Sequence, residues 1–287
     1  MRAQGRTLPV IAYLGPDEEP PPGIAAFRQG LSEAGYRDAV TEYRRSTDGD
    51  KLATLAAETV ARRVNVIFSV GAAATASAIK ASAGTIPIVF GIGPDPVKLG
   101  FVASLSHPGG NVTGFANLNP EMVPKRLELL HAVLPAATTI ALLDNPTNPG
   151  MATQTVQMAA QTVQMQAKAR GMGITLPVLH AGSESELEAA FGALRGLSAG
   201  GLVIGADGFF YTRPARLAAL GLRHRMPAIF MFREFAAAGG LMSYGTSLAD
   251  SNRVAGFYAG RILKGEKPSD LPVQQATKDT PNNNCYD

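Results

Sequence analysis

The sequence predicts an α/β protein built as two doubly wound parallel-sheet lobes, joined by a multi-strand hinge with a ligand cleft between them. Three observations predict it. Apolar β-rich runs alternate with Ala- and Leu-rich helical patterns along almost all of the 287 residues. Several runs, such as Val10-Ile11-Ala12-Tyr13-Leu14, are continuously apolar rather than alternating, as strands covered on both faces are. The alternation then starts afresh at Thr139.

The elements follow in order. The first apolar run predicts a strand over 10–14, and the Ala/Phe/Leu pattern after it a helix over 23–34. A strand at 39–43 leads to a helix at 51–63, the run Val66-Ile67-Phe68 to a strand at 66–70, and the Ala-rich stretch to a helix at 73–82. Ile88-Val89-Phe90 is the next strand, followed by a Gly/Pro loop, a short helix, a Pro108-Gly109-Gly110 turn and a strand at 112–115. The second half repeats the scheme, with strands at 139–143, 175–180, 202–205 and 228–231. Helices are expected at 121–133, 151–170, 184–197 and 214–224. A late strand at 241–244, a helix at 248–263 and a strand at 273–277 complete the pattern.

The chain first crosses between lobes in the segment 114–120 and returns at 236–240, where Gly239-Gly240 lets the backbone bend; a third crossing follows Pro268. Lobe 1 is thus 1–116 with 240–268, lobe 2 is 117–239, and 269–287 forms the third crossing and an aberrant tail. Multiple crossings make a hinge on which two lobes close over a ligand. Gln154-Thr155-Val156-Gln157-Met158 recurs as Gln161-Thr162-Val163-Gln164-Met165. Seven residues turn a helix by only about −20°, so the duplication lengthens a surface helix and keeps its stripe. The ending Thr280-Pro281-Asn282-Asn283-Asn284-Cys285-Tyr286-Asp287 has no periodicity.

Composition excludes several classes. The formal net charge is +3 with Lys and Arg scattered, so no nucleic-acid footprint is present. No apolar run approaches the roughly 20 residues of a membrane span. The single cysteine, Cys285, allows neither an internal disulfide nor a Cys-based metal site. The start, Met1-Arg2-Ala3-Gln4-Gly5, reads as the stub of a removed export signal or as a cytosolic beginning. Catalytic signatures fail. There is no P-loop, Gly91-Ile92-Gly93 continues into Pro-Asp-Pro rather than a dinucleotide fingerprint, and Ile67 stands where a nucleophile elbow needs glycine. His107, His131, His180 and His224 lack metal-ligand spacing. No cofactor is implied.

The candidate binding groups sit at strand carboxyl ends, where open α/β sheets hold ligands. Tyr13 and Leu14 end the first strand; Tyr13 offers a ring and a hydroxyl, or fills the core. Gly71, Ala72 and Ala73 open a helix whose amide groups attract a carboxylate, or simply allow close packing. Gly93 and Asp95 end the fourth strand, Asp95 taking an amine or capping the next turn. In the second lobe Asn145 supplies donor and acceptor, or starts an Asn-Pro turn. Asp207, Phe209 and Phe210 suit an amine beside an apolar body, or form an Asx turn over packed rings. Phe232 adds aromatic surface, and Tyr244 ends the late strand back in the first lobe. Together they fit a small zwitterion with an apolar side chain, such as an amino acid.

Longer motifs carry a resemblance. Asp95-Pro96-Val97-Lys98-Leu99-Gly100-Phe101 through Asn111-Val112-Thr113-Gly114, Asn145-Pro146-Thr147-Asn148-Pro149, and Gly239-Gly240-Leu241-Met242-Ser243-Tyr244-Gly245 with Gly260-Arg261-Ile262-Leu263-Lys264-Gly265 are its strongest parts. On these the chain resembles the ABC-transporter substrate-binding proteins of periplasmic-binding-protein type I architecture, from Leu8 to about Lys278. The resemblance implies an extracytoplasmic, periplasmic or lipid-anchored receptor without chemistry of its own. It delivers a small solute, amino acids and aromatic ones included, to a membrane permease and ATPase, and it is expected as a monomer. Relatives have a shorter helix where the duplication lies, and continue past Lys278 into a strand and helix. Two other readings stay open: a sensory or regulatory ligand-binding domain on the same fold, and an α/β enzyme.

Overall fold

The structure, a computed structural model, describes residues 8–15, 23–46, 48–117, 122–145 and 152–275, with side chains 152–161 excepted. Two compact units emerge: residues 8–117 with 248–275, and residues 122–247.

The first unit opens with β1 (Val10–Gly15), α1 (Ile24–Glu33), β2 (Val40–Arg45), α2 (Gly49–Ala61), β3 (Val66–Val70), α3 (Ala72–Ser82), β4 (Ile88–Ile92) and β5 (Val112–Ala116). The second comprises α4 (Val123–Val133), β6 (Ile140–Asp144), α5 (Ala152–Gly171), β7 (Val178–His180), α6 (Glu184–Ala193), β8 (Gly201–Ile204), α7 (Gly208–Tyr211), α8 (Pro214–Arg223), β9 (Ala228–Phe230), α9 (Arg233–Ala237) and β10 (Met242–Ser243). The chain then rejoins the first unit as α10 (Leu248–Leu263) and β11 (Gln274–Gln275).

Both sheets are wholly parallel, in orders β11-β5-β4-β3-β1-β2 and β10-β9-β8-β6-β7. Ignoring β11, each order is 2-1-3-4-5, so each unit has a switch point where strand order reverses, between β1 and β3 and between β6 and β8. Burial explains the apolar runs: every residue of β3, β4 and β5 is buried. In the second unit Leu127 and Leu130 of α4 pack on Ile140, Leu142, Val203 and Ile229 from three strands, with Met242 beside them. Helix starts follow local chemistry. Asp48 accepts from the amides of Asp50 and Lys51 to start α2, and Ser183 from that of Glu186 to start α6.

Several expectations need correction. The late strand does not return to the first unit: β10 pairs parallel with β9, Met242 opposite Ile229, so the second sheet runs on past Gly239-Gly240 and the change of unit falls between Ser247 and Leu248. To Gln275 the chain stays with the first unit, β11 pairing with β5, Gln274 opposite Phe115; the rest of 269–287, where the third crossing is expected, lies outside the described residues. The strand expected at 175–180 shortens to β7 plus one bridge from Thr175 to Thr139. Pro177 interrupts it, having no amide to donate and serving only as acceptor for the Leu142 amide. The short helix after Asp95 is a single turn ended by Gly100 at φ +71. The short helices α7 and α9 stand where loops were expected. The first crossing at 118–120, residues 146–149, the first copy of the duplication's side chains, and everything from Ala276 lie outside the described residues.

Candidate functional site

In the first unit the carboxyl ends of β1, β3 and β4 carry the predicted groups. Tyr13 is buried, its ring edge-on to Phe68 at 5.8 Å and tilted against Tyr43 at 6.0 Å. A Cβ at Gly15 would lie 2.7 Å from the Tyr13 hydroxyl oxygen, so the absent side chain makes room for that hydroxyl. Leu14 is fully buried. Gly71 takes φ +91 with open space where a Cβ would stand, so only glycine enters α3 this way without strain. Its own amide donates to the Gly91 carbonyl at 2.9 Å and is spent on the sheet. Of the group expected to meet a carboxylate, that leaves the first-turn amides of α3 at Ala72 and Ala73, where no side chain caps the helix and no acidic residue stands. The buried hydroxyls of Ser69 and Thr75, 2.9 Å apart, fix this junction, with Thr75 also donating to the Gly71 carbonyl. Gly93 lies just past β4. Asp95 Oδ1 accepts from the Val97 amide at 2.9 Å, and its other oxygen lies 3.9 Å from Lys98 Nζ, so Asp95 caps its turn.

In the second unit a polar set spans the switch point. Asn145, at the end of β6, donates from Nδ2 to Asp207 Oδ1, beyond β8, at 2.8 Å. Both residues are buried. The same Asp207 oxygen caps α7 by accepting from the Phe209 amide at 2.8 Å. Asp144 Oδ1 accepts from the Asn145 amide at 2.9 Å. Burial raises the Asp144 carboxyl above its ordinary value, opposed by that bond and by His180, its neighbour on β7. Phe209 is half-buried, with Phe210 edge-on at 5.6 Å. Phe210 and Phe232 are fully buried, Phe232 edge-on to Tyr211 at 4.9 Å and to Phe230 at 5.8 Å. Tyr244 is half-buried beside the α4 core.

Two arginines escaped sequence reasoning. Arg126 is fully buried and donates from Nε to the Tyr244 carbonyl at 2.7 Å. Desolvation pushes its pKa down to about 9, with Tyr244 acting in the opposite sense. Its signal was present: Val123, Arg126, Leu127 and Leu130 form one buried stripe of α4, with an arginine on the apolar face. Arg213, between α7 and α8, had no such signal. Among the described residues no group of three or more His, Cys, Asp or Glu side chains gathers to hold a metal ion.

Parallel sheets wound 2-1-3-4-5, with polar groups at the strand ends beside the switch points, are a doubly wound α/β architecture that holds ligands at those ends. The chain belongs to the family described as ABC transporter substrate binding protein, matched over residues 23–282. It is similar, at 24% identity over 251 residues, to the tyrosine-binding protein of Clostridioides difficile (strain R20291), covering 86% of this chain and 70% of that protein. Its fold is similar to that of the ABC domain from Streptococcus pneumoniae in complex with L-Trp, with TM-score 0.73 and 22% identity over 94% of this chain and 89% of that one. A conserved domain protein from Vibrio cholerae gives TM-score 0.78 and 23% identity, covering 95% and 90%. The chain is thus a solute-binding protein of an ABC transporter and not an enzyme. Its family implies a small-molecule solute, membrane transporter components as partners and an extracytoplasmic place of work. Among the described residues no helix is long and apolar enough to cross a membrane.

Proposed function

We propose that this protein captures an amino acid, with aromatic side chains preferred, and presents it as a monomer to the permease of an ABC importer. The observation that carries the reading is the Asn145–Asp207 hydrogen bond across the β6/β8 switch point, followed at once by the half-buried Phe209 ring. A carboxylate held by two donors is oriented for an ammonium group, and an adjacent ring suits an apolar body. The similarity to a tyrosine-binding protein and to a structure holding L-Trp supports the same solute class.

Calorimetric titration with L-tyrosine and L-tryptophan tests it. Asp207→Asn keeps an acceptor for the Phe209 amide and removes the charge, and Asp207→Ala removes both. A bond to a charged partner contributes about 1.5–3 kcal/mol, so either variant weakens binding about ten-fold or more. Unchanged affinity in both removes Asp207 from the site.

A further inference from the structure

Arg213 stands at the position that begins α8, where Ser, Thr, Asp or Asn is favoured and a cation opposes the helix dipole. It makes no capping bond there. Its donors turn back onto α7 instead. Nη1 donates to the Phe209 carbonyl at 2.9 Å and to the Thr212 hydroxyl at 2.7 Å, while Nε donates to Glu184 Oε1 at 2.7 Å. The guanidinium carbon lies 4.1 Å from the centre of the Phe209 ring, within cation–π range. Phe209 is therefore held at three points: its amide by Asp207, its carbonyl by Arg213 Nη1, and its ring by the guanidinium group. A residue that breaks a local rule while its guanidinium meets both the carbonyl and the ring of one neighbour is the pattern of a site residue.

We propose that Arg213 is a positioning residue for solute selection. It holds the Phe209 ring and, through the first turn of α7, the Asp207 carboxylate, so that the end of β8 favours a solute with an aromatic side chain. The inference rests on the proposed function for its solute class, but the hold on α7 exists without any solute. Glu184, in the first turn of α6, accepts from the guanidinium Nε and so anchors the group that meets the ring.

The test compares wild type, Arg213→Met, Phe209→Leu and the double variant. Titration with L-tryptophan, L-tyrosine and L-leucine is combined with amide hydrogen exchange of the solute-free proteins. Arg213→Met should weaken binding of the two aromatic solutes about ten-fold and leave L-leucine within about three-fold. Contacting residues act non-additively, so the double variant should bind no more weakly than Phe209→Leu alone. Without solute, the amides of 207–211 should exchange faster in Arg213→Met, while those of the last turns of α8 do not change. Additive losses, equal losses for all three solutes, or unchanged exchange at 207–211 would each overturn the proposal. Wild type that binds none of the three solutes, with the exchange difference present, overturns the aromatic-solute reading and supports the hold on α7. If Arg213→Met does not fold, Arg213→Lys, which keeps the charge and loses the fork, and Glu184→Gln carry the same comparison.

Discussion

Asp144 illustrates how one residue's burial sets a measurable property. Its carboxyl is raised above the ordinary aspartate value of 3.8, burial being the main cause. The folded state therefore holds this proton more firmly than the unfolded chain. Stability from this group is greatest in acid and falls as pH rises through the window between 3.8 and the raised value. Asp144→Asn, which keeps an acceptor for the Asn145 amide, should flatten that slope and raise the unfolding midpoint at neutral pH. Urea titrations from pH 4 to pH 8 check it, and a wild-type slope in the variant refutes it. Thr246 offers a second case: it is 8% exposed, and its hydroxyl has no partner among the described residues. An unsatisfied buried hydroxyl costs about 1–3 kcal/mol, so Thr246→Val should stabilise the solute-free protein by about 1 kcal/mol, read from the same denaturation curves. Asn145 and Asp207 were legible in the sequence because each follows an apolar run, where a parallel sheet delivers its strand ends. Their hydrogen bond was not, since 62 positions separate them and only the order β6 next to β8 joins them. Arg213 was illegible for the same reason: its value lies in a ring and a carboxylate that other elements bring to it.

At the scale of elements, α1 and α10 pack backbone against backbone although they are far apart in sequence. A Cβ on Gly30 would overlap the Arg253 carbonyl oxygen, and one on Gly256 would overlap that of Phe27. The two helices thus meet backbone to backbone across reciprocal glycines. Gly30→Ala and Gly256→Ala should each destabilise the protein by about 1–3 kcal/mol, because backbone cannot give way as a side chain does. Gly171→Ala, at a helical position with open space around it, is the control and should not lower the midpoint. Denaturation midpoints for the three variants decide the matter. The long elements were readable because doubly covered strands and amphipathic helices write their period into the chain. The short α7 and α9 were not, since four or five residues carry too little period to separate helix from loop. The place of β10 was misread because membership of a sheet is a tertiary fact, and two residues beside a Gly-Gly pair point equally to a turn toward either unit.

On the scale of the whole molecule, the two units differ in how the chain makes them. The first is assembled from two separated segments, and its helix α10 and edge strand β11 follow every described element of the second unit. Among the described residues the second unit draws on one stretch of the chain, from 122 to 247. All five strands of its sheet come from that stretch, none borrowed from the first unit. So do the residues of its apolar core, from Val123 to Met242. A segment that supplies its own sheet, its own core and helices packed on that sheet meets the conditions for folding alone. Residues 118–247 expressed as a separate chain should therefore unfold in one cooperative transition with an α/β circular-dichroism spectrum. They should also keep the protected Phe209 amide that the Asp207 cap creates. A chain cut at Asn117 should not fold, because α1 would lose the α10 backbone that Gly30 is shaped to meet. Exchange-resistant amides in the second fragment and their absence in the first are the expected result. A 118–247 fragment that stays unfolded would show that its stability is drawn from the rest of the chain.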